Sequence, residues 1–400
     1  MTAASANSRS SNFTTIPFGK LGIIALPGCE ELGEKIDRFI SNWRDESENE
    51  HKSSIIFDGY HKDSYLIDVS CPRFGTGEGK AVINQSVRGY DIFVLVDVFN
   101  YGVTYEMYGQ KVPMSPDDHF ANLKRVIGAI GGKAHRITVV MPMLYEGRQH
   151  KRSARESLDC ALALQELCSL MDVDNVITFD AHDPRVQNAI PLKGFENVSP
   201  VYQMIKAFIN NVDDIKIDKE NLMIVSPDEG GMGRGIYYAT VLGVELGMFY
   251  KQRDYSRIVN GRNPILAHQF LGDNVKGKDV IVVDDMISSG ESMIEVASKL
   301  KDLGAKRIFI FSCFGLFCNG LEPFDKAYKS GQIERVFTTN MIYRTPELLE
   351  REWFTEVDMS KYIAYIIDAL NHDTSVSKLL DSSDRIKRLL ENRGFISADN

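Results

Sequence analysis

Seven short apolar runs recur through this chain with helix-like stretches between them. They are Ile23–Leu26, Asp91–Val96, Ile137–Met141, Val176–Phe179, Leu222–Val225, Val280–Val283 and Ile308–Ser312. Continuous runs of this length, rich in β-branched residues, read as strands buried on both faces, and strands alternating with helices argue for parallel sheets covered by helices. Helical spacing is legible over Ser153–Leu170, Val201–Asn210 and Met293–Leu303. The strands suffice for two sheets, and 400 residues allow two or three domains. The polar stretch 211–221 could lie at a boundary. Residues 330–400 look less regular, with a helical stretch near Ser360–Leu370 and a polar amphipathic segment at 383–393.

Chemistry concentrates at Val280–Ser292, where an apolar strand runs into the acid pair Asp284 and Asp285, then small hydroxyl residues, Gly290 and a helix. Acids at the carboxyl end of a parallel strand sit where α/β sheets bind ligands. The amides and the hydroxyls of Ser288, Ser289 and Ser292 at the following helix start suit an anion. A phosphorylated sugar matches both halves: acids for ribose hydroxyls, amides and hydroxyls for phosphate. The bland alternative is a capped strand end with a solvated acid pair.

Other segments repeat the pattern more weakly. Ser226–Arg234 (Ser-Pro-Asp-Glu-Gly-Gly-Met-Gly-Arg) follows a strand, so Asp228 could bind a hydroxyl or metal and Arg234 could reach phosphate. Lys251-Gln252-Arg253 precedes a long polar stretch, 254–278, which reads as a lid with two cations at its base. Arg148–Arg152, with Arg155 beyond, suits a polyphosphate, or is merely a wet helix start. Asp180 and His182 end a strand, and would point the same way as metal ligands if the chain is extended there. Arg73–Glu78, with Phe74 among glycines, could stack on a purine, or is a turn before a strand.

The net charge of −9 argues against a general nucleic-acid or anionic-membrane binder. The six cysteines include no Cys-x-x-Cys pair and several lie in apolar runs, as expected of reduced core residues in a cytoplasmic protein. No apolar stretch is long enough to span a membrane. The Ser/Ala/Asn-rich start, residues 1–19, reads as a disordered tail.

In order, these segments resemble the ribose-phosphate pyrophosphokinase (phosphoribosyl pyrophosphate, PRPP, synthetase) family across about residues 20–380. Arg73–Glu78 with Ser86–Asp91 is similar to its adenine loop, Arg148-Gln149 to its ATP segment and Phe179–His182 to its Asp-x-His site. Ser226–Gly231, Lys251-x-Arg253 and Val280–Ser292 resemble its Ser-Pro-Asp-x-Gly-Gly turn, catalytic pair and PRPP signature. Gly315–Phe317, Thr339-Asn340 and Ser375–Ser377 follow its C-terminal part.

The resemblance implies an α/β fold of two phosphoribosyltransferase-like domains, each a mostly parallel sheet flanked by helices. It places the ATP side at 20–196, joined by a segment near 355–380, and the ribose 5-phosphate side at 197–350, with a polar tail at 381–400. It implies Mg2+-dependent diphosphoryl transfer from ATP to ribose 5-phosphate, giving PRPP and AMP, in dimer-based oligomers such as hexamers. By the same resemblance Lys251 and Arg253 are catalytic. Asp228, Asp284, Asp285, Ser288, Ser289, Gly290 and Ser292 hold ribose 5-phosphate. Phe74, Glu78, Arg148 and Gln149 hold ATP, and His182, Asp180 and Asp228 hold metal.

Departures from the family fall mainly on the nucleotide side. Thr76 and His150 each stand where the family has an acid, Ser288-Ser289 replaces Asp-Thr, and Phe314 replaces a histidine. Segments 99–118 and 254–278 are longer than typical. Two other readings follow: a weakly active regulatory homologue, or a phosphoribosyltransferase acting on a base. The second leaves the first 200 residues without a role.

Overall fold

The computed structural model describes residues 15–49, 57–152, 154–253 and 265–396. They divide into two units. One comprises the described residues up to Val198 with Met341–Tyr343 and Met359–Leu380; the other comprises Ser199–Asn340, Arg344–Asp358 and the described residues from Asp381 onward.

The first unit contains strands β1 (Lys20–Ala25), β2 (Val69–Ser70), β3 (Val82–Ile83), β4 (Tyr90–Leu95), β5 (Thr104–Met107), β6 (Gln110–Pro113), β7 (Arg136–Val140), β8 (Asn175–Phe179) and β9 (Gly194–Val198). Its first helices are α1 (Glu30–Asn49), α2 (Pro116–Ile130) and α3 (Asp159–Gln165). A parallel sheet runs β1-β4-β7-β8-β9, and its strands are apolar on both faces, with Ile23, Val94, Val139 and Val176 fully buried. β2–β3 and β5–β6 are two-stranded antiparallel ribbons.

The second unit contains α4 (Val201–Asn211), β10 (Leu222–Ser226), α5 (Met232–Leu242), β11 (Glu245–Arg253), β12 (Ile265–Leu271), β13 (Asp279–Ile287), α6 (Glu291–Asp302), β14 (Arg307–Gly315), α7 (Glu322–Lys329), β15 (Arg335–Thr339), α8 (Pro346–Leu349) and β16 (Phe354–Val357). The sheet order is β12-β11-β10-β13-β14-β15-β16, parallel except for the β11–β12 pair. The chain then returns to the first unit with α9 (Ser360–Asn371) and α10 (Ser377–Leu380), and ends in the second with α11 (Ser383–Asn392).

The two sheets carry the same device at matching positions. In the first, Arg136 Nε and Nη2 donate to Asp91 Oδ1 and Oδ2 at 2.9 and 2.7 Å. In the second, Arg307 donates to Asp279 in the same bidentate way at 2.9 and 2.7 Å. Each pair joins register partners within the first two residues of neighbouring parallel strands. The fork matches carboxylate geometry, so it aligns the register where the strands begin. The run β10-β13-β14-β15-β16 thereby repeats β1-β4-β7-β8-β9, the likeness of halves left open by the sequence, and the second sheet adds β11 and β12.

Several expectations need correction. The helix expected over Ser153–Leu170 begins at Asp159 and widens into a π-turn at Glu166–Leu170; Ser153 lies outside the described residues. The basic cluster at 148–152 is therefore loop. The described residues from 330 onward are regular: β15 and β16 extend the second sheet. α9 packs its apolar face on α1, and α11 buries Ile386 and Leu390. β9 (Gly-Phe-Glu-Asn-Val) and β16 (Phe-Thr-Glu-Val) lack a continuous apolar run because they lie at sheet edges, half-exposed. None of the described helices is long and apolar enough to cross a membrane. None of the six cysteines forms a disulfide; Cys318 is exposed, Cys71 half-buried and the other four buried.

Candidate active site

In the second unit, β13 outruns its neighbour. β10 stops at Ser226, whereas β13 continues beside β14 to Ile287, four residues past the expected strand end. Asp284 and Asp285 therefore remain in a strand, yet stand beyond the end of β10. Alternation sends them to opposite faces. The Asp284 side chain is 22% exposed and Asp285 is buried. Arg234, in the first turn of α5, comes within 3.7 Å of Asp284 Oδ1, which also accepts the Asp285 amide at 2.9 Å. Burial, and next the adjacent Asp285 carboxylate, push the Asp284 carboxyl well above its usual range.

The Ser226–Gly231 turn folds on itself. Ser226 Oγ donates to the Asp228 carbonyl at 2.7 Å, and Asp228 Oδ1 accepts from the Gly230 and Gly231 amides at 2.9 and 3.3 Å. A Cβ at Gly231 would come 2.6 Å from Ser226 Oγ, so glycine is required there. After β13, Gly290 caps α6 in the left-handed region at φ +86, a conformation that favours glycine. Ser288 and Ser289 are half-buried, and Ser292 is exposed. The Ser288 carbonyl is held by the Cys318 amide at 2.8 Å, and the Ile287 carbonyl by the Leu316 amide at 2.9 Å. Phe314 is buried core, and Thr339 Oγ1 donates to the Cys313 carbonyl behind it. Asp284, Asp285 and the loop that opens α6 thus lie on one strand–turn–helix, with Arg234 on the adjoining helix.

Lys251 and Arg253 lie at the end of β11, in register with His268 and Ile265 of β12. The expected lid over 254–278 is thus partly strand. β12 falls inside it because Phe270 packs its ring on Phe249, 5.3 Å between centroids. Residues 272–278 of the expected lid are the turn into β13, and residues 254–264 lie outside the described residues.

In the first unit, Arg73–Gly79 forms a closed loop. The Phe74 amide donates to Glu78, and the Gly77 amide to Phe74, each at 2.8 Å. Phe74 is 57% exposed, and Thr76 Oγ1 donates to Glu78 Oε2 at 2.8 Å. Arg148 and Gln149 are exposed on the loop after β7. Asp180 has φ +42, so the backbone is not extended there, and the alternation argument for Asp180 and His182 fails. Instead the His182 ring meets His150, 5.2 Å between centroids, and His150 Nε2 lies 3.4 Å from Asp183 Oδ2. Hydrogen bonding from Arg185 holds the Asp183 carboxyl well below the usual carboxylate range. Among the described residues, no three His, Cys, Asp or Glu side chains converge as a metal cage.

A ribbon unseen in the sequence completes this face. β5–β6 packs on the Phe74 loop, with Tyr105 against Arg73. Its signal was present but unread: the Thr104–Met107 and Gln110–Pro113 runs flank the Tyr108-Gly109 turn, and Ser115 and Asp118 form the capping box of α2.

Two parallel α/β sheets, with an acid-pair strand feeding a glycine-capped helix in one of them, define a phosphoribosyltransferase-like protein with a doubled domain. The family model for the N-terminal domain of ribose phosphate pyrophosphokinase matches residues 21–170, and that for the phosphoribosyl transferase domain matches 195–336. The ribose-phosphate pyrophosphokinase of Vibrio cholerae is 28% identical over 320 residues, covering 79% of this chain and 92% of that protein. That of Pasteurella multocida is 29% identical over 322 residues, covering 78% and 91%. The crystal structure of phosphoribosylpyrophosphate synthetase from Mycobacterium smegmatis shares the fold, with a TM-score of 0.68 at 21% identity, covering 88% of this chain and 99% of that one. The chain belongs to the ribose-phosphate pyrophosphokinase family of diphosphotransferase enzymes.

Proposed function

We propose that this chain transfers the diphosphoryl group of ATP to O1 of ribose 5-phosphate, giving PRPP and AMP, as a cytoplasmic homo-oligomer. The observation that carries the reading is the strand–turn–helix Asp279–Asp302: two acids, then hydroxyl residues and a left-handed Gly290 at a helix N-terminus. Asp284 and Asp285 take the ribose hydroxyls. Ser288, Ser289, Gly290 and Ser292 offer hydroxyls and amides to the 5-phosphate. Asp228 meets the ribose from the neighbouring turn. Phe74 offers a stacking face to the adenine and Glu78 an acceptor, while Arg148 and Gln149 take the polyphosphate. Lys251 and Arg253 offset charge on the transferring phosphoryl groups.

Mg2+ is held through one or two carboxylates together with substrate phosphates and water, rather than by an all-protein cage. Asp180 and His182 would hold such a metal on the nucleotide side, and Asp228 one on the ribose side, each with substrate phosphates and water completing the shell. When bound, the metal neutralises phosphate charge. The ribose-side acids orient O1 for in-line attack on the β-phosphorus.

A second reading is favoured by Thr76 and His150, which remove two acids from the nucleotide side: a weakly active homologue that regulates an active partner. The test is formation of AMP and PRPP from ATP, ribose 5-phosphate and Mg2+ by the purified protein. Stoichiometric products, with Lys251→Ala lowering kcat far more than ribose 5-phosphate affinity, support the synthetase. Binding of both ligands without turnover supports the regulator.

A further inference from the structure

The segment between β4 and α2 carries the β5–β6 ribbon, and the structure shows what it leans on. At the tip of the β5–β6 ribbon, the Tyr108 amide donates to the Gly75 carbonyl at 2.9 Å, inside the loop that carries Phe74 and Glu78. Beneath that loop, the Arg73 guanidinium lies over the Tyr105 ring, 4.7 Å from its centroid. Arg73 also pairs with Asp118 at 3.2 Å and donates to the Gly77 carbonyl at 3.0 Å and Asn122 Oδ1 at 3.3 Å. Its side chain is 8% exposed. Asp118 is fixed in turn by the capping box with Ser115. Gly77, at φ +91, backs onto the ribbon so closely that a Cβ would come 2.8 Å from the Met107 sulfur. The loop is therefore tied to ribbon and helix from below, while Phe74, Thr76 and Glu78 face outward.

We propose that the β5–β6 ribbon is a platform that pre-shapes the Phe74 loop for the nucleobase of the donor, with Arg73 and Tyr105 as positioning residues. The Phe74 stacking face and the Glu78 acceptor are those of the reading above; what the ribbon adds is their fixed placement, with Thr76 Oγ1 steadying Glu78. The proposal rests on the ATP-dependent reading above. A loop with glycines at 75, 77 and 79 would otherwise lose much freedom on binding, and holding it in advance removes that cost.

The experiment measures binding of Mg·ATP and of Mg·tripolyphosphate, which lacks the base, to the full chain and to Tyr105→Leu, Arg73→Gln and Tyr105→Phe. Tyr105→Leu and Arg73→Gln should lose about tenfold in ATP affinity, the worth of one half-buried cation–π or ion-pair contact. Tripolyphosphate affinity should hold. In turnover, KM for ATP should rise while kcat and KM for ribose 5-phosphate stay, and Tyr105→Phe should restore the affinity. Equal loss of ATP and tripolyphosphate, or loss of neither, would overturn the proposal. So would a changed molar mass in Tyr105→Leu with ATP affinity intact, which would make the ribbon a subunit contact. If the unaltered chain bound no ATP, the nucleotide reading itself would fall; a variant matching a competent parent removes only the platform.

Discussion

Gly290 offers a direct way to weigh the geometry of the phosphate loop. It sits at φ +86, and a Cβ there would come 2.2 Å from Phe324 Cε2 and 2.7 Å from Cζ. Phe324 cannot yield easily. It is fully buried, stacked on Trp353 at 5.4 Å and edge-on to Phe317 at 5.1 Å. Gly290→Ala therefore combines a left-handed penalty of about 1–2 kcal/mol with overpacking of about 1–3 kcal/mol. Gly277 isolates the first of these. It lies in the same unit at φ +79, with nothing within 4 Å of a Cβ, so Gly277→Ala should cost only that first penalty of about 1–2 kcal/mol. Urea unfolding followed by Trp353 fluorescence, in a Trp43→Phe background so that the other tryptophan is silent, reads the second unit alone. Gly290→Ala should lose more than Gly277→Ala, and should also weaken ribose 5-phosphate binding. Equal losses for the two variants would refute the steric argument.

Three further outcomes follow from buried charge and burial. Arg44 and Asp368 are almost fully buried, with Arg44 Nη2 2.6 Å from Asp368 Oδ1. Arg44→Met should cost about 3–5 kcal/mol by stranding the acid, and adding Asp368→Leu should recover most of it, as chemical denaturation would report. Because the folded-state pKa of Asp284 is raised, its contribution to stability is intact below the ordinary carboxylate range and is lost as pH rises through the elevated value. Asp284→Asn should therefore flatten the decline in stability above that range and raise the melting temperature at neutral pH, while abolishing ribose 5-phosphate binding. A neutral-pH melting temperature below the parent's would count against this. Burial pushes the Cys160 thiol up to about 12, so mass spectrometry after mild alkylation should find Cys318 labelled first and Cys160 only on unfolding.

Much of the fold was legible because its signals are local. A buried parallel strand reads as an unbroken apolar run, and Val280–Val283 and Leu222–Val225 could be nothing else in this context. The acid pair and the Gly290 helix start were legible for the same reason, since strand, turn and helix are contiguous. The direction in which Asp180 and His182 point was not legible, because alternation holds only for extended backbone and a left-handed φ is settled by what the turn packs against. β12 was mistaken for lid because its one strong apolar anchor, Phe270, acquires meaning only beside Phe249.

The sequence by itself determined the strand–helix alternation and the acid-pair loop, since each depends on residues within a dozen positions of one another. Tertiary structure alone decided which distant groups meet. Arg44 finds Asp368 across 324 residues, and Arg73 finds both the Tyr105 ring and Asp118. Such partners carry no mark in the linear chain, because a buried charge needs only an opposite charge in reach and the fold, not the spacing, supplies it.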